Sequence, residues 1–133
     1  MKAFTDIEQS KKLAKILPIE SADHHYVRKV TDFMGNPVDG EWSTPKYGSP
    51  NSKHANYLVQ NFTTYETIPC WSLAALFEVL PERLIKPYYV PCLQKEDGKY
   101  SVAYGGDILL CKANNPIDAC YEMIMKLHEQ KLL

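Results

Sequence analysis

The chain has 133 residues, 45% of them hydrophobic and 23% charged, with a formal net charge of −1. That length fits one domain able to bury about two-thirds of its unfolded surface, and the composition excludes collagen-like, disordered and disulfide-scaffold classes. Near-balanced charge supplies no clustered basic footprint for duplex nucleic acid.

The first residues, MKAFTDIEQSKKLAKIL, lack the apolar core of a signal peptide. The longest uncharged runs, 55–65 and 67–77, have eleven residues each, well short of the ~20 of a membrane helix. Cys70, Cys92, Cys111 and Cys120 form no CxxC pair, so neither a zinc knuckle nor a disulfide framework is expected. The chain reads as cytoplasmic, with no membrane partner.

Thr5 and Glu8 have the spacing of a capping box, predicting a first helix that Pro18 stops. Ile7, Leu13, Ala14, Ile16 and Leu17 are its apolar stripe. A short strand follows over 26–30. Residues 35–56 carry glycine, proline and asparagine without apolar periodicity. Such a loop exceeds the usual ceiling of about 12–15 residues, so it is functional, disordered or pinned by aromatics, and Trp42 and Tyr47 favour the last. The β-branched and aromatic mix over 57–65 predicts a strand.

Ser72 is placed to cap a second helix, with Trp71 and Leu76 as its hydrophobic staple and Pro81 as its end. A three-strand meander comes next. Strands over 88–95 and 99–104 flank Glu96-Asp97-Gly98, whose Asp-Gly pair suits a tight hairpin. Pro91 cannot donate to a ladder and marks an edge strand. Tyr100, Val102 and Tyr104 form the heavier face of the middle strand. Gly105-Gly106-Asp107 turns into a third strand over 108–112. In the last helix Asn115 caps, Pro116 takes the first position and Asp118 the third, while Ile117, Cys120, Tyr121, Ile124, Leu127 and His128 share one face.

These elements predict a single α+β domain over residues 1–133, three helices packed on a small, mainly antiparallel sheet. Its core is expected to include Leu13, Leu17, Trp71, Leu73, Leu76, Phe77, Leu80, Val102, Ile117, Ile124 and Leu127.

Three stretches carry a resemblance: EQSKKLAKILPIESAD (8–23), IPCWSLAALFEVLP (68–81) and NPIDACYEMIMKLHEQKLL (115–133). Together they resemble small uncharacterised proteins encoded in prophages and mobile elements of anaerobic gut bacteria. The resemblance covers about half the chain and implies a phage- or element-encoded cytoplasmic accessory protein. It implies no activity and no site residues, and the 35–56 loop lies outside it.

Cys70-Trp71 before a helix has the look of an activated thiol, because a helix N-terminus lowers a thiol pKa. No base is evident beside it, since His128 edges an apolar helix face. Asp23-His24-His25, with His54 from the loop, could supply metal ligands, but adjacent strand residues point to opposite faces. Asp118 and Glu122 share a helix face, yet Asp118 already serves the cap. Gly105-Gly106-Asp107 lacks the spacing of a phosphate loop.

The nine tyrosines are the most unusual feature. Tyrosine buries a large ring while keeping a polar tip, which suits recognition surfaces. The leading expectation is therefore a non-enzymatic protein-interaction module of phage or mobile-element origin. Its contact residues would be Trp42, Tyr47, Tyr88, Tyr89, Tyr100 and Tyr104, with a protein partner and no cofactor. The alternative is a small thiol- or metal-dependent enzyme using Cys70 or the histidines. The sequence leaves the oligomeric state open.

Overall fold

The computed structural model describes residues 2–55, 57, 61–84, 89–105 and 109–133, the side chain of His54 excepted. The protein is α+β, with helices α1 (Ile7–Ala14), α2 (Leu73–Val79) and α3 (Pro116–Glu129). Its strands are β1 (His24–Thr31), β2 (Lys46–Tyr47), β3 (Thr64–Cys70), β4 (Pro91–Glu96), β5 (Lys99–Tyr104) and β6 (Leu109–Ala113). They form two three-stranded antiparallel sheets, β2-β1-β3 and β4-β5-β6, where one small sheet was expected. The chain divides into two compact units, Asp6–Trp71 and Met1–Thr5 with Ser72–Leu133.

In the Asp6–Trp71 unit, α1 starts one residue later than Thr5 predicts. Asp6 is the N-cap: its carboxylate accepts from Gln9 N–H at 2.8 Å, and Gln9 Oε1 accepts from Asp6 N–H at 3.1 Å. Either residue type can cap, but Thr5 is fully buried and Asp6 is exposed, which leaves the carboxylate at the wet end. The helix closes early, with Leu17 N–H returning to the Leu13 carbonyl at 2.8 Å, so that Leu13 and Leu17 are both buried.

β1 is longer than predicted, and its partner β3 lies further along the chain than the expected 57–65 strand. The register pairs His24 with Cys70, Tyr26 with Ile68 and Arg28 with Glu66, and shifts between Lys29 and Thr31. Much of the long loop runs along the opposite edge of β1. Val38, Gly40 and Ser43 donate to the carbonyls of Val30, Lys29 and Val27 at 3.0, 3.2 and 2.9 Å before β2 pairs regularly. A Cβ on Gly40 would sit 2.3 Å from the Lys29 carbonyl oxygen, so this approach requires glycine. Pro37 and Pro45 lack the N–H of a regular ladder, which is why the segment reads as loop in sequence.

The Ser72–Leu133 unit follows its local signals closely. Ser72 Oγ accepts from Ala75 N–H at 3.2 Å and caps α2. Asp97 and Gly98 take φ of 51° and 73°, the positive pair of a two-residue hairpin turn. β4 lies at a sheet edge, in keeping with Pro91. Asn115 Oδ1 accepts from Asp118 N–H at 2.9 Å, with Pro116 in the first turn of α3. Ile117, Cys120, Met123, Ile124 and Leu127 on α3 are buried, as are Val102, Tyr104 and Cys111 on the strands it packs against. Of the expected core, only Leu73 and Phe77 are half-buried rather than buried.

Candidate interaction surface

The six predicted contact residues have unlike surroundings. Tyr104 is a correction. It is fully buried, its hydroxyl donates to the Pro81 carbonyl at 2.6 Å, and burial pushes its pKa up to about 12. The heavy face of β5 is the face that packs inward, so Tyr104 anchors the core and is not available to a partner. Tyr100, at the far end of that face, is half-buried with the Lys95 ammonium 5.4 Å from its ring centroid. Tyr89 is half-buried, its carbonyl accepting from Leu84 N–H at 2.9 Å, and Tyr88 lies outside the described residues.

Trp42 is half-buried, with the Arg28 guanidinium 4.9 Å above its ring. That guanidinium also donates to Glu66 Oε2 from Nη2 at 2.7 Å and from Nε at 2.8 Å. Trp42 thus pins the long segment to the sheet through a cation–π contact. Tyr47 is 68% exposed and meets the His24 ring edge-on.

Among the described residues, the most exposed apolar group elsewhere in the Asp6–Trp71 unit was not among the sequence candidates. Phe33, Met34 and Phe62 are 64%, 66% and 68% exposed. Phe33 and Met34 sit in the turn that leaves β1. There Asp32 Oδ1 accepts from the N–H groups of Met34 and Asn36, both at 2.9 Å. The N–H of Asn36 leads the donors that hold the Asp32 carboxyl below the usual carboxylate range. Gly35, at φ +83°, completes the turn.

Phe62 comes from the chain entering β3 and is tied to the same place. Its N–H donates to the Phe33 carbonyl at 3.2 Å, and its carbonyl accepts from Thr31 Oγ1 at 2.7 Å. A side chain on Gly35 would come within 3.3 Å of Phe62 Cβ. Two separate turns are therefore bonded into one tip that holds three large apolar side chains in water. Around it, residues 32–45 contain Asp32, Asp39 and Glu41 and no lysine or arginine. The sequence signal was present at Asp32-Phe33-Met34-Gly35-Asn36, where turn chemistry encloses two large apolar residues. The link to Phe62 is non-local, and no pattern in the sequence announces it.

The residues behind the enzymatic alternative are also placed. Cys70 is fully buried in β3, directly across the strand pair from His24, and the Tyr26 hydroxyl hydrogen-bonds its thiol. Burial first, and Cys70 second, raise the Tyr26 pKa above its ordinary value. Asp23 Oδ1 stands 3.1 Å from His24 Nδ1. An acid, an imidazole and a thiol thus occupy neighbouring positions, but the thiol has no exposed surface from which to attack a substrate.

His25, on the opposite face of β1, is fully buried with both ring nitrogens engaged. A carbonyl can only accept, so Nδ1–H donates to Gly48 O at 2.7 Å, while Nε2 shares a 2.6 Å hydrogen bond with the Tyr57 hydroxyl. Both ring nitrogens are thus occupied by protein partners, and no group of three His, Cys, Asp or Glu among the described residues could hold a metal.

Asp118 is a structural group. Its Oδ1 accepts from Lys2 Nζ and its Oδ2 from Asn115 Nδ2, each at 2.8 Å. Burial pushes the Cys120 thiol up to about 12 and raises that of Cys111, the opposite of nucleophile activation. No helix among the described residues is long and apolar enough to cross a membrane.

Comparison with known proteins adds no relative: no family model, curated protein or solved structure matches this chain.

Proposed function

We propose that this protein is a non-enzymatic protein-interaction module whose contact surface centres on Phe33, Met34 and Phe62, with exposed Tyr47 on the same unit. The observation that carries this reading is the tip itself. Three large apolar side chains are held in solvent by hydrogen bonds that do nothing to bury them. Covering such a side chain is worth about 1.5–3 kcal/mol, and a pre-ordered turn loses little further entropy on binding. Their backbones tie the tip together while their side chains stay largely exposed, which fits a surface meant for a partner. The buried Cys70 thiol and the fully engaged His25 ring weigh against the thiol- and metal-dependent alternative. A phage or mobile-element origin and a cytoplasmic site of action rest on the resemblance of the three sequence blocks.

The test is affinity capture from a lysate of the organism that carries the protein, read by mass spectrometry. Intact protein is compared with a variant carrying Phe33→Ser, Met34→Ser and Phe62→Ser. The expected result is a stoichiometric protein bound by the intact form and lost from the variant, with the variant's melting temperature nearly unchanged. A partner retained by the variant would remove the tip as the contact surface. No partner from either form would overturn the interaction reading.

A further inference from the structure

No further inference is drawn: the strongest candidate, the open outer face of the β4-β5-β6 sheet, where exposed Cys92, Gln94, Glu96 and Lys112 line a cavity of about 380 Å³, carries nothing because nothing in the structure shows what covers it.

Discussion

The two compact units reach order by different routes. In the Ser72–Leu133 unit, α3 lays a continuous apolar stripe on β5 and β6, and the tight Asp97-Gly98 turn joins β4 to β5. Its stability comes chiefly from non-directional burial, which helical and strand periodicity encode residue by residue. Among the described residues, the Asp6–Trp71 unit has a smaller share in α-helix and strand, and a long segment with little apolar content. It is held by directional contacts between residues far apart in sequence: His25 to Gly48 and Tyr57, Arg28 to Glu66 and Trp42, Thr31 to Phe62 and Thr64. Irregular backbone can be as well anchored as a helix, provided its polar groups find partners. Here it presents Phe33, Met34 and Phe62 outward.

Substitutions should separate the two routes. The largest effect is expected from Ile124→Ala, which empties part of a fully buried helix face and should cost about 2–5 kcal/mol in urea unfolding. A loss below 1 kcal/mol would mean that α3 is not the main anchor of its unit. His25→Leu comes next. It leaves the Gly48 carbonyl and Tyr57 hydroxyl without their imidazole partner, at about 1–3 kcal/mol for a buried polar group so stranded. Hydrogen exchange should quicken at the Gly48 amide and in β2 while α3 keeps its protection. Equal loss of protection in both units would show that they do not draw on separate sources of order.

A smaller, local effect belongs to Asp32. Its folded pKa is depressed, so its contribution is present above the unfolded value of about 3.9 and is lost as pH falls through the folded one. The amide resonances of Met34 and Asn36 should shift together across that acidic range, and Asp32→Ala should abolish the shift. Resonances unmoved by acid would mean the carboxylate does not hold the tip. The last expectation involves no change in stability. In native protein, iodoacetamide should label exposed Cys92 readily and reach Cys70, Cys111 and Cys120 only on unfolding. Fast labelling of Cys70, slowed by His24→Gln, would instead revive the thiol-enzyme alternative.

Legibility follows the same division. Asn115-Pro116 and Asp118 announce α3, Ser72 announces α2 and Asp97-Gly98 announces the β4–β5 turn, because caps and tight turns are satisfied within about four residues. The burial of Leu13, Val102, Ile124 and Leu127 was readable for a related reason: periodicity places them on one face. Two limits appear even there. Thr5 is the cap that the spacing predicts, whereas the cap formed is Asp6, the neighbour left exposed. Tyr100, Val102 and Tyr104 were correctly grouped on one face, but grouping does not say whether a partner or the protein's own interior covers it, and at Tyr104 it is the interior.

Local chemistry in the sequence was enough to settle the α+β class, the caps of α2 and α3, the hairpin at Asp97-Gly98 and most of the core. Tertiary structure alone decided that the strands form two sheets, that Thr64–Cys70 pairs with β1, and that residues 37–47 run beside β1. It alone joined Phe62 to Phe33 and Met34. The physical reason is range. A cap or turn is closed by neighbours in the chain, whereas strand partners and the tip depend on backbone hydrogen bonds between residues tens of positions apart, whose register no short sequence pattern specifies.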